Sequence, residues 1–131
     1  ITNYWIYQKK INLEPSLYLK VGAIHGCVLC QEDRPLYYFE DVGRHNAVDK
    51  IAGLILEKKL KTENMSFYTS GRLTSEMVIK CIKMRIPILL SRSGFTSWAV
   101  EIARKKDLTM IGRLRGKRFS ILSGSHRILS E

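Results

Sequence analysis

The sequence predicts an α/β domain built on a mixed sheet of about five or six strands. Three observations carry that expectation. From Ser66 onward, short apolar runs alternate with stretches whose apolar residues recur every three or four positions, a strand–helix–strand–helix–strand rhythm. The short runs are apolar almost throughout, as in parallel strands covered by helices. Upstream, the polar turn QEDRP separates two apolar segments and reads as a hairpin.

The elements follow in order. Residues 1–20 carry no clear pattern, and 16–21 fits either a short helix or a short strand. Residues 28–30 and 36–39 are the hairpin strands. After them Ala47, Val48, Ile51, Ala52, Ile55 and Leu56 fall on one helical face, so a helix begins near Arg44. A strand is expected over 65–69, then a helix over 75–85 with Val78, Ile79, Cys81 and Ile82 inward. The next strand, 86–90, has Pro87 near its first position, where a strand tolerates proline. A helix over 96–106 is capped by Thr96 or Ser97 and turns Trp98, Ala99, Ile102 and Ala103 inward. Strands over 108–111 and 119–122 complete the domain.

At 131 residues, 45% hydrophobic and 26% charged, the chain has the make-up of one globular domain. No apolar run is long enough to cross a bilayer. The start, ITNYWIYQKK, lacks both the order of a secretory signal and an initiator methionine, so the chain reads as a fragment or a processed piece. Three cysteines are too few for a secreted disulfide framework and imply a reducing, cytoplasmic setting. The net charge of +10 is uneven: residues 1–70 hold nine Lys/Arg against eight Asp/Glu, residues 71–131 thirteen against four. Such a basic half implies either an anionic partner or a solvated basic face.

In open α/β sheets ligands bind beyond the carboxyl ends of the strands. Those junctions share a composition. They are Gly43-Arg44-His45, Ser70-Gly71-Arg72, Ser91-Arg92-Ser93 and Arg113-Leu114-Arg115-Gly116-Lys117-Arg118. Each sets arginine beside glycine or serine. Glycine lets backbone N–H groups come close to a ligand, serine adds a hydroxyl, and the guanidinium fork matches phosphate oxygens. Arg44 and His45 stand at a helix start, where cations are disfavoured and anions welcomed. A phosphate-bearing ligand explains the pattern; ion pairs with Glu40, Asp41, Asp49 and Glu76 are the competing explanation. His45 is either a neutral donor to such a ligand or a histidine bonded to backbone. Neither GxxxxGK[ST] nor GxGxxG occurs. The segment RLRGKR suits an RNA backbone but lacks interleaved aromatics, so nucleic acid is not the expected partner.

The pair Cys27 and Cys30, with His25 nearby, has C-x-x-C spacing. On a strand, however, residues three apart point to opposite faces, which opposes a shared metal or a dithiol; no metal site is expected. Cys81 belongs to the core.

The segments EDVGRHNAVDK, SGRLTSEMVIK, IPILLSRSGFTSWAVEIA and LTMIGRLRGKRF, in this order, resemble the FdhD family, and GAIHGCVLC is similar to that family's glycine–histidine–alanine segment. The resemblance covers roughly residues 20–128, leaving 1–20 as a separate amino-terminal segment. It implies a three-layer α/β/α sandwich like that of cytidine deaminases, and a homodimer. It also implies a sulfur carrier. Persulfide sulfur from a cysteine desulfurase would pass to the molybdenum or tungsten of a bis-molybdopterin guanine dinucleotide cofactor destined for formate dehydrogenase. The family's cofactor-binding segment falls on Arg113–Arg118 here, with an aromatic more usual where Arg113 stands, and GDP would mimic the cofactor. The family's persulfide-bearing CGxCG loop is absent, so the chain is expected to be the carboxyl-terminal domain or a short form. Its catalytic group is then unassigned, with Cys27 and Cys30 the remaining candidates. A cofactor-binding module without transfer activity and a phosphate-backbone RNA binder are the alternatives. Zinc deamination is excluded, because no H-x-E or P-C-x-x-C is present.

Overall fold

The computed structural model describes residues 25–31, 34–41, 43–115 and 118–127, with backbone alone at His25, Arg34, Pro35, Glu40, Asp41, Arg44, His45 and Arg115. The element expected over 16–21 lies outside them. The described chain runs β1 (His25–Gln31), β2 (Arg34–Asp41), α1 (Arg44–Lys58), β3 (Met65–Thr69), α2 (Ser75–Lys83), β4 (Ile88–Ser91), α3 (Ser97–Lys105), β5 (Thr109–Arg115) and β6 (Arg118–Ser123). A short 3₁₀ turn follows at Ser125–Arg127.

The sheet is mixed and six-stranded, in the order β2-β1-β3-β4-β5-β6. Its centre, β3-β4-β5, is parallel, and β1 and β6 flank it antiparallel. The parallel centre arises from two helical crossovers, α2 and α3, each joining consecutive strands. The hairpin strands extend well beyond 28–30 and 36–39, because backbone pairing carries His25, Gly26 and Gln31 into the ladder regardless of polarity. Ile86 and Pro87 precede β4 instead of opening it, although the Pro87 carbonyl still accepts from the Thr109 amide at 2.9 Å.

The three helices among the described residues pack on one face of the sheet, over Cys27, Leu29, Phe67, Leu89 and Met110. The other face presents Val28, Cys30, Tyr68, Leu90, Ile111 and Leu114, all fully buried although no described helix covers them. The described residues therefore account for a sheet and one helical layer.

Helices α2 and α3 begin alike: the hydroxyls of Thr74 and Thr96 accept from the amides of Met77 and Ala99. Their inward stripes differ from expectation. In α3 the stripe is centred on Ala99, Val100 and Ala103, which turns Trp98 outward at 65% exposure. In α2, Met77 takes the buried place expected of Ile79, which is 41% exposed. Leu56 of α1 is 80% exposed; among the described residues no element closes over that flank. Each helix is followed by a non-glycine residue in the left-handed region, Lys59, Arg85 and Asp107. The 3₁₀ turn is clamped to the last of these turns: Arg127 donates to the Asp107 carbonyl at 2.7 Å and pairs with its carboxylate at 3.1 Å.

Two glycines should respond oppositely to alanine. Gly124 has φ +65° and lies against Thr109, whose Cα would stand 2.7 Å from a new Cβ. Gly124→Ala is expected to lower the unfolding free energy by more than about 2 kcal/mol. Gly53, inside α1 with nothing within 4 Å, should stabilise by about 0.5–1 kcal/mol as alanine. Urea unfolding of both variants measures the contrast.

Candidate functional site

Strand direction decides where the arginine-bearing junctions meet. The parallel strands β3, β4 and β5 all point their carboxyl ends to one rim of the sheet. β2, antiparallel to β1, ends there too, while β1 and β6 start there: His25 lies opposite Asp41, Cys27 opposite Thr69, and Arg115 opposite Arg118. Gly43, Arg44 and His45 follow β2; Ser70, Gly71 and Arg72 follow β3; Ser91, Arg92 and Ser93 end β4; Arg113, Leu114 and Arg115 end β5. Gly116 and Lys117 lie outside the described residues. The backbone brings every other residue of the four segments to this rim.

The serines do a different job from donating to a ligand. Ser91 is completely buried; its hydroxyl donates to the Gly71 carbonyl at 2.6 Å and accepts from the Ser93 amide at 3.0 Å. The Ser93 hydroxyl donates to the Ser70 carbonyl at 2.7 Å, and the Ser70 hydroxyl accepts from the Gly26 amide at 2.9 Å. Thr69 accepts from the Gly71 amide at 3.1 Å. The loops after β3 and β4 also pair through Leu73 and Phe95, and the Arg113 amide donates to the Ser93 carbonyl at 2.9 Å. One continuous mesh of hydrogen bonds thus fixes the crest from β1 to β5. Gly26, Thr69 and Phe95 belong to it, though the sequence singles out none of them as site residues: their partners lie far along the chain.

On this frame the cations face outward. Arg72, Arg113 and Arg118 are exposed and make no ion pair among the described residues. Asp49, a candidate partner for an arginine, pairs with Lys80 instead at 3.0 Å. Arg113 adopts φ +52° at an irregularity in β5, which sets its guanidinium 5.3 Å from the Phe95 ring centroid, a cation–π distance. Gly112 makes room for this: a Cβ there would meet Phe95 and Leu122 at 3.1 Å. Leu114 packs in the second core cluster, so its side chain is structural and only its backbone can meet a ligand. The N-terminus of α1 differs from the other two in having Gly43 at the cap and no side-chain cap bond, and like α3 it has no acidic residue in its first turn. No carboxylate of that first turn offsets the helix dipole.

Residues 3–129 match the model of the FdhD/NarQ family. The chain belongs to that family. It is 44% identical over 124 residues to the sulfur carrier protein FdhD of Saccharolobus solfataricus, covering 93% of this chain and 48% of the relative. To the protein of the same name from Listeria monocytogenes it is 36% identical over 120 residues, covering 92% and 46%. A crystal structure from Desulfotalea psychrophila, of a protein described as a putative formate dehydrogenase accessory protein, superposes with TM-score 0.89 at 36% identity. That match covers 96% of this chain and 54% of the other. The chain spans about half the length of the curated relatives it matches.

In an FdhD/NarQ chain the thiols need a direct account. Cys27 and Cys30 sit on β1 in different core clusters, hence on opposite faces of the sheet. Burial pushes both thiols up to about 12, against weaker opposing pulls from the Thr69 and Ser66 hydroxyls. Cys81 is raised by burial alone. Burial thus keeps Cys27 in the thiol form at pH 8. In the folded protein all three cysteines should resist an aromatic disulfide reagent at pH 8 and react together on unfolding; fast labelling of either β1 thiol in the native state would contradict this burial. Ser91→Ala strips the Gly71 carbonyl and Ser93 amide of their buried partner. It should cost about 1–3 kcal/mol in urea unfolding.

Proposed function

We propose that this chain is the cofactor-gripping part of a sulfur carrier that matures formate dehydrogenase. Its cargo is a bis-molybdopterin guanine dinucleotide, whose two pyrophosphates seat on the arginine rim. A cysteine desulfurase supplies the persulfide sulfur that reaches the cargo's metal, and the working form is a homodimer. The convergence of four glycine-, serine- and arginine-bearing junctions on one rim carries this reading. A mesh that holds the backbone still and leaves Arg72, Arg113 and Arg118 without an ion pair among the described residues is preorganised for a polyanion. Cations carried on one rim repel one another until a ligand neutralises them.

Within this chain the role is binding, not transfer. Attack on a sulfane sulfur requires a thiolate, and burial holds Cys27 and Cys30 in the thiol form on separate faces of the sheet. The sulfur-bearing group therefore belongs to another segment of the intact carrier or to a partner.

Calorimetric titration with GDP, set against a short RNA across a salt series, tests the reading. GDP should bind saturably, and Arg72→Ala should weaken it about tenfold, the effect of losing one charge-assisted contact. Arg72 is exposed, so its loss leaves the fold intact. Unchanged GDP affinity in a folded Arg72→Ala protein defeats the rim as the phosphate site. Preference for RNA with a steep salt slope assigns the same cations to a nucleic-acid backbone instead.

A further inference from the structure

At the end of the sheet opposite the rim, a cleft of about 520 Å³ opens between the carboxyl-terminal halves of α1 and α2 and the loops that follow them. Its volume falls in the range of sites that hold ligands or anchor side chains. Ile55, Leu60 and Met84 provide apolar lining, and Leu56 stands 80% exposed at its wall. Lys61, Lys83 and Arg85 also line it; all three are exposed, with no ion pair among the described residues, whereas Lys80 is held by Asp49. Glu63 is the lining carboxylate left to oppose them.

The cleft is built, not incidental. The Thr62 hydroxyl lies 2.8 Å from the Met84 carbonyl and 2.9 Å from the Arg85 carbonyl, tying the loop after α1 to the turn after α2. Arg85 is further fixed by its left-handed backbone, φ +58°, and its amide donates to the Ile82 carbonyl at 2.9 Å. The cations are thus mounted on a rigid crossing of two loops. Compensation of helix dipoles explains Lys83, in the last turn of α2. It explains neither Lys61 and Arg85, which lie beyond the helices, nor a leucine left bare.

We infer that this cleft docks an acidic, amphipathic segment of a partner protein, which inserts an apolar side chain beside Leu56 and sets carboxylates against Lys61, Lys83 and Arg85. Charge chooses the occupant. Meeting this cleft across a two-fold axis, a second copy would set Lys61, Lys83 and Arg85 against their own counterparts, so the proposed homodimer uses another surface. Shape decides against an anionic membrane, since a recess receives a protruding side chain while a flat bilayer cannot enter it. Leu56 extends the apolar surface outside the recess, more than a small carboxylate would cover. Lying at the far end of the sheet, the docked segment leaves the rim clear.

Fluorescence anisotropy with a labelled helical peptide of about fifteen residues tests this, its leucines at three- and four-residue spacing and its other positions Glu and Ala. It should bind in the micromolar range, and the same peptide with Lys for Glu should not. Leu56→Glu and Lys83→Glu should each weaken binding at least about fivefold, while Ile79→Ser and Arg72→Ala leave it unchanged. Loss of binding in Arg72→Ala with Leu56→Glu unaffected would place the peptide on the rim and overturn the proposal. So would equal binding of the basic peptide, or binding to phosphatidylserine vesicles with the same dependence on Leu56 and no binding of the acidic peptide.

Discussion

The crest of this sheet depends on one buried hydroxyl. Ser91 ends the central strand, and through a single oxygen it holds the Gly71 carbonyl of one loop and the Ser93 amide of its own. A loop normally runs over the surface because its polar backbone needs water. Here two adjacent loops turn inward against each other, and the serine supplies what water would have. Ser93 and Ser70 extend the same logic to Gly26 at the start of β1. The arrangement frees the outer surface of the crest for arginine.

The electrostatics follow from that division of labour. Backbone groups are satisfied inside the mesh, so the guanidinium groups of Arg72, Arg113 and Arg118 make no ion pair or hydrogen bond to hold the crest together among the described residues. Arg113 shows the principle at a single residue: its strained backbone is pinned by the Ser93 carbonyl, and its charge rests over Phe95. Of the basic residues after position 70, Arg72, Arg92, Arg113, Arg115 and Arg118 stand at this rim, while Lys80, Lys83 and Arg85 gather around the cleft at the other end of the sheet.

Much of the fold could be read from the residues. The runs at Met65–Thr69 and Ile88–Ser91 are apolar enough to identify buried strands, and the placement of Cys27 and Cys30 on opposite faces follows from strand geometry alone. The convergence of the junctions after β3, β4 and β5 was equally legible, since parallel pairing dictates it, whereas the junction after β2 reaches the rim through the antiparallel hairpin. Exposure at helix flanks was not. A three-four spacing shows which side chains are apolar, but whether Leu56, Ile79 or Trp98 is covered depends on how closely the neighbouring element lies. Serine roles were hidden for a related reason: a hydroxyl beside an arginine suggests a ligand, and nothing local discloses a carbonyl waiting twenty residues away.

The span of those hydrogen bonds has its own consequence. Ser91 meets Gly71 across 20 residues, and Gly26 meets Ser70 across 44. No short stretch of the chain can therefore shape the crest by itself; it comes into being only when β1, β3 and β4 are already aligned. Loop-closure entropy makes such distant pairings late arrivals in folding. A newly made or half-opened molecule would have its arginines dispersed, and the anion grip proposed for the rim would vanish together with the sheet.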